Sequence, residues 1–134
     1  MTAAIHHIEY WVPDFAAARP RWEWLLHELG WADFQDWPLG HSWKSADGGY
    51  LVIEQSAAMT EGGHDRLRPG VNHLALNAAS RAAVDALTAA SSAHGWALMF
   101  PDRHPFAGGT GHYAAYLCDE DGFELEIVAE DVRG

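Results

Sequence analysis

Two eight-residue stretches of this chain echo one another, and that echo restricts the fold more than any other feature. The first is Ile5-His6-His7-Ile8-Glu9-Tyr10-Trp11-Val12, followed by the breaker Pro13-Asp14. β-Branched and aromatic residues dominate it, so it reads as a β-strand. Alternation puts Ile5, His7, Glu9 and Trp11 on one face and His6, Ile8, Tyr10 and Val12 on the other. The second is Val71-Asn72-His73-Leu74-Ala75-Leu76-Asn77-Ala78, which again opens on a β-branched residue and has histidine third. His73 follows His7 by 66 residues, about half the chain. A chain that repeats itself at half length builds two modules that complete each other's core.

The segments between the echoes follow the same order in both halves. Asp14 is a helix N-cap candidate. Phe15, Ala18, Trp22, Leu25, Leu26 and Leu29 then make one apolar helical stripe, which Gly30 ends. Pro20 falls inside that helix and predicts an irregular or kinked first turn. Strands are expected over 31–37, 41–44 and 50–55, with Tyr50, Val52 and Glu54 on one face. A polar, Gly-rich linker covers 57–69. In the second half Ser80 caps a helix over about 81–93 whose buried stripe includes Val84 and Leu87. Strands follow over 96–100, 112–117 and 123–128, with a glycine-containing loop over 101–111. The expected fold is α+β: two βαβββ modules, about 1–57 and 70–130, forming a curved, incomplete barrel in a single domain over 1–134.

Composition narrows the function. The 134 residues carry a formal charge of −11, which repels phosphate backbones and anionic membranes. Neither nucleic acid nor a membrane is an expected partner. No apolar run reaches the ~18 residues of a membrane span, and no secretory signal opens the chain. With one cysteine, Cys118, no intrachain disulfide can form, which fits a cytoplasmic location. Nine histidines in so short a chain leave room for ligands.

The ionisable residues expected on the concave face are His7 and His73 from the first strands, and Glu54 and Glu126 from the last. The glutamates are 72 residues apart, close to the histidine spacing. A single strand histidine is more often a satisfied structural residue than a ligand, and Glu124 with Glu126 would also suit an exposed row. Two imidazoles and two carboxylates at matching positions of a repeat instead suit one divalent metal per site: Zn, Ni, Co, Mn or Fe rather than Ca or Mg. Such an ion acts as a Lewis acid that stabilises an enolate or activates a bound oxygen. His6 competes with His7, because a one-residue shift flips the faces.

The segments IHHIEYWVPD, WEWLLHELGW, YLVIEQ, GVNHLALNA and HYAAYLCDEDGFELEIV together resemble the vicinal oxygen chelate superfamily. It includes glyoxalase I, methylmalonyl-CoA epimerase, extradiol dioxygenases, and fosfomycin and bleomycin resistance proteins. The resemblance covers nearly the whole chain. It implies His7 rather than His6, seven residues before Asp14, and Glu126 rather than Glu124, four residues after Gly122. It also implies His73 and Glu54 as the other metal ligands, with Glu126 or Glu54 as the proton-shuttling base of a lyase or isomerase. Few basic residues lie near this site, so glutathione thiohemiacetal is not the implied substrate; the substrate is an unidentified small molecule. Relatives often share sites between two chains, which implies a homodimer.

Two other readings stay open. An extradiol-type Fe(II) dioxygenase would use His7, His73 and Glu126, with His104, His112 and Tyr113 as acid/base or substrate contacts. A bleomycin-resistance-type binding protein would use an aromatic groove with Trp11, Trp43, Trp96, Phe106 and Tyr113. The 101–111 loop with Arg103, His104 and the adjacent His112 is a further candidate for substrate contact, or an ordinary connection.

Overall fold

Strand alternation and two helix caps account for most of the architecture. The computed structural model describes residues 3–130, in two compact units that divide between 63 and 64.

In the first unit β1 (His7–Trp11) precedes α1 (Phe15–Glu28), β2 (Ala32–Trp37), β3 (Gly40–Lys44) and β4 (Tyr50–Glu54). The sheet order is β1-β4-β3-β2. β1 and β4 run parallel, and the other two pairs are antiparallel. The register sets the faces. Tyr10 pairs with Ile53, and Trp43 with Leu51, on the side that α1 covers. Phe15, Ala18, Trp22, Leu25 and Leu26 of α1 are buried there, and the Trp22 ring meets Tyr10 at 5.3 Å between centroids. His7, Glu9 and Trp11 lie with Tyr50, Val52 and Glu54 on the opposite face.

Asp14 caps α1 as expected, accepting from the Ala17 amide at 3.2 Å. Pro20 does not interrupt the helix. Both Pro20 and Ala16, whose carbonyl loses its partner, are exposed, so water can take the missing bond.

The second unit repeats the topology. β5 (Leu74–Ala78) leads to α2 (Arg81–Ser91), a 3-10 turn over Ser92–His94, β6 (Ala97–Met99), β7 (Ala114–Cys118) and β8 (Glu124–Ala129). The order is β5-β8-β7-β6, again with one parallel pair. α2 packs on Leu76, Leu117, Leu125 and Ile127, which are all buried. Glu124 and Glu126 alternate with these leucine and isoleucine residues and take the other face. Each unit is thus a βαβββ module with an open, mixed four-stranded sheet, and the fold is α+β.

The His73 strand is shorter than expected. It begins at Leu74, so His73 stands just ahead of it. Ser80 caps α2 by accepting from the Ala83 amide at 3.0 Å. Replacing Ser80 with Ala is expected to cost about 1 kcal/mol, read as a lower urea midpoint at unchanged slope. An unaltered midpoint would mean the cap contributes nothing.

Candidate functional site

Glu126 gathers the functional side chains of the second unit. It projects from β8 on the face away from α2, and its residue is only 6% exposed. His73 approaches one carboxylate oxygen, with Nε2 3.1 Å from Oε1. His112 brings its Nε2 against the other, Oε2. Tyr116 stands directly opposite Glu126 in the β7–β8 register. Burial, then the charge of Glu126, pushes the Tyr116 phenol above its usual value of 10.0. It therefore stays protonated at neutral pH and can serve as a donor.

The surroundings fix the His73 ring. The Asn72 amide donates to the Arg66 carbonyl oxygen at 2.9 Å, which orients its own oxygen toward His73. His73 Nδ1 donates to that oxygen at 2.8 Å, which turns Nε2 toward Glu126. An imidazole nitrogen held this way, facing a carboxylate that only accepts, is a donor pair that a cation satisfies. Behind them Glu124, 4% exposed, pairs with Arg66 at 3.1 Å. The chemistry of His73 and Glu126 therefore fits a divalent metal.

The glycine loop has a steric role here. A Cβ on Gly108 would lie 2.5 Å from the Tyr116 hydroxyl and 2.6 Å from the His112 ring. Only glycine lets the backbone pass so close to the two side chains beside Glu126.

The first unit holds the other two expected ligands apart. His7 pairs with Tyr50, and the two rings stack at 4.7 Å. Glu54 pairs with Trp11 at the far end of the strands. Four register steps separate them, about 13 Å along the sheet. Glu54 Oε2 instead accepts from the Trp37 indole at 2.9 Å.

The register also corrects the expected match of Glu54 with Glu126. Leu74 pairs with Leu125, so His73 stands at the level of Glu124, and Glu126 lies two positions on. Two positions beyond Tyr50 in the first unit is Val52, not Glu54.

The expected substrate contacts divide. His112 joins Glu126. Tyr113 belongs to the other side of its sheet, where its hydroxyl donates to Asp85 of α2 and Arg81 lies over its ring at 4.8 Å. It is not part of the Glu126 cluster. Arg103 is exposed and sits over the Phe100 ring at 4.9 Å. His104 is half-buried and contributes no contact to Glu126 among the described residues. Trp11 is 43% exposed, and its indole donates to Glu9 at 2.6 Å. Tyr116, Asn72 and Arg66 were not anticipated. Strand alternation from Ala114 would have put Tyr116 on an inner face, but only the register sets it opposite Glu126.

The sequence profile of the glyoxalase/bleomycin resistance protein/dioxygenase superfamily matches residues 6–116. The chain belongs to this superfamily. YqjT of Bacillus subtilis, itself uncharacterised, is 46% identical to it over 126 residues, covering 93% of this chain and 98% of YqjT. Among solved structures, a glyoxalase candidate from Bacillus halodurans superposes with a TM-score of 0.88 at 41% identity, covering 96% of each chain. A lactoylglutathione lyase from Agrobacterium tumefaciens shares the fold, with a TM-score of 0.65 at 18% identity over 98% of this chain and 97% of its own. Members of the superfamily commonly use a divalent metal.

Proposed function

We propose that this superfamily member is a divalent-metal-dependent, glyoxalase-like enzyme acting on an unidentified small molecule, with lyase or isomerase chemistry. The observation that carries the reading is the His73–Glu126 pair: a ring nitrogen oriented by Asn72, 3.1 Å from a buried carboxylate oxygen. His73 and Glu126 would hold the metal, and His7 is proposed as a further ligand on the strength of the family resemblance. A bound divalent ion supplies Lewis acidity toward a substrate oxygen.

The chain's own residues would handle the proton. Glu126 has a second oxygen turned to His112, so a proton can be relayed between that carboxylate and the imidazole. Tyr116 offers a hydroxyl donor beside the same carboxylate. The loop at Gly108 passes close to the Tyr116 hydroxyl and the His112 ring.

One observation favours a second reading. Val52 stands at the register position of Glu126, so the first unit lacks a carboxylate there. Two histidines and one glutamate form the ligand set of non-haem Fe(II) oxygen chemistry.

Calorimetric titration of metal-free protein with Zn2+, Ni2+, Co2+, Mn2+ and anaerobic Fe2+ tests the reading. His73→Ala is expected to lower the affinity of the Glu126 centre at least tenfold, while Glu54→Gln leaves it unchanged. An affinity insensitive to His73→Ala would overturn the ligand assignment. Strong preference for Fe2+ would favour the oxygenase reading.

A further inference from the structure

The first unit carries a second group of donor atoms, on the side of its sheet that α1 covers. Carboxylate oxygens of Glu23 and Asp33 and a ring nitrogen of His41 lie within 4.8 Å of one another. We propose that this group is a separate site for a zinc-type divalent metal, with Glu23, His27, Asp33 and His41 as ligands and Asp36 holding His41 from behind.

The topology supplies the donors in pairs. Glu23 and His27 are four residues apart on α1, hence on one face of the helix. Asp33 comes from β2 and His41 from β3, which are hydrogen-bonded neighbours. The helix and the edge hairpin therefore contribute two ligands each.

The spacing suits a tetrahedral ion. His41 Nε2 lies 2.9 Å from Asp33 Oδ1, and His27 Nε2 lies 3.2 Å from the same oxygen. Ligands at zinc bond lengths of 2.0–2.1 Å stand about 3.3 Å apart at the corners of a tetrahedron. The two imidazoles converge on one carboxylate oxygen; Glu23, Asp33 and His41 form the assembled core, and His27 moves in to complete the shell.

The support around His41 is an independent observation. The ring is 4% exposed and rests edge-on against Trp43 at 4.7 Å. Its Nδ1 donates to Asp36 Oδ1 at 2.8 Å. A carboxylate on the far nitrogen is the usual partner of a metal-bound histidine, because it fixes the ring and raises its basicity. Arg19, 3.5 Å from Glu23 and 3.3 Å from Asp36, offsets part of the negative charge. Mixed imidazole and carboxylate donors select zinc or its neighbours over Ca2+ and Mg2+, which prefer oxygen alone. A bound ion would clip α1 to β2, the edge strand of the sheet.

This site is independent of the Glu126 centre, and the test separates them. Metal-free Glu126→Gln protein is titrated with Zn2+ by calorimetry and with Co2+ by visible absorption. The expected result is one retained equivalent, with the intense Co2+ bands of a tetrahedral site and a rise in melting temperature. Adding Asp33→Asn or His27→Gln, both at exposed positions, should weaken that binding at least about tenfold and remove the rise. Circular dichroism confirms that each variant is folded. If Glu126→Gln binds no Zn2+, or if its binding is the same with Asp33→Asn and His27→Gln, the proposal is wrong. If Glu126→Gln instead binds as many equivalents as the unaltered protein, the Glu126 centre fails and this site stands.

Discussion

Replacing Glu126 with Gln is expected to remove metal from the Glu126 centre and abolish turnover while leaving the fold intact. The carboxylate is buried yet has two hydrogen-bond partners, His73 and His112, with Tyr116 opposite it on β7. Gln keeps the shape and one acceptor oxygen. It loses the charge, and it replaces one carboxylate oxygen by an NH2 group, which donates and cannot bind a cation. Loss of an outer-shell partner commonly costs 10–100-fold in metal affinity, so loss of a ligand should cost at least about 100-fold. Stability of the metal-free protein should move less than about 3 kcal/mol, because removing a buried charge offsets the lost hydrogen bonds. Calorimetric metal titration and urea unfolding on the same preparations check both parts. A variant that keeps wild-type metal affinity would show that Glu126 is a structural carboxylate.

The largest expected loss of stability is at Trp22. Replacing it with Ala should cost 3–5 kcal/mol, a large part of the ~5–15 kcal/mol that holds a typical domain together. Trp22 is 0% exposed, near the middle of the buried line of α1, and its ring packs on Tyr10 of β1. Its removal leaves a cavity between the helix and the sheet that the backbone of neither element can close. The melting temperature should fall by roughly 10–20 °C. Trp22→Phe, which keeps part of the ring volume, should lose less than half as much. A loss below about 1 kcal/mol for Trp22→Ala would mean that α1 is not anchored through this residue.

The sequence predicts the fold where periodicity and caps point the same way. Asp14 and Ser80 mark the starts of both helices, because a side-chain oxygen three residues before an amide is a local device. The strands follow from β-branched runs between glycine turns, and the repeated order of elements follows from the His7 and His73 echo. Pro20 misleads because its effect depends on which way the residue faces. On the solvent side of α1 water can take the lost hydrogen bond.

The site is legible only in part. Alternation puts Glu126 and Glu54 each on one face of its sheet, and in the structure both lie on the face away from the helix of their own unit. What alternation cannot give is register: how far along one strand a residue stands from its partner on the next. Register separates His7 from Glu54, brings Tyr116 opposite Glu126, and makes Val52 the counterpart of Glu126. Parity settles Tyr113, which lies an odd number of places from Tyr116 and so belongs to the helix side. The Glu23, Asp33 and His41 group had no motif to reveal it, because its members come from three elements, and the β2–β3 pairing and the packing of α1 on the sheet assemble them.

The most direct test is an anomalous difference map from crystals of metal-free protein soaked with Co2+. A peak about 2.0–2.2 Å from both His73 Nε2 and a Glu126 carboxylate oxygen is the predicted result. Full-occupancy soaking with no peak between these two atoms would contradict the account, whatever else the crystal binds.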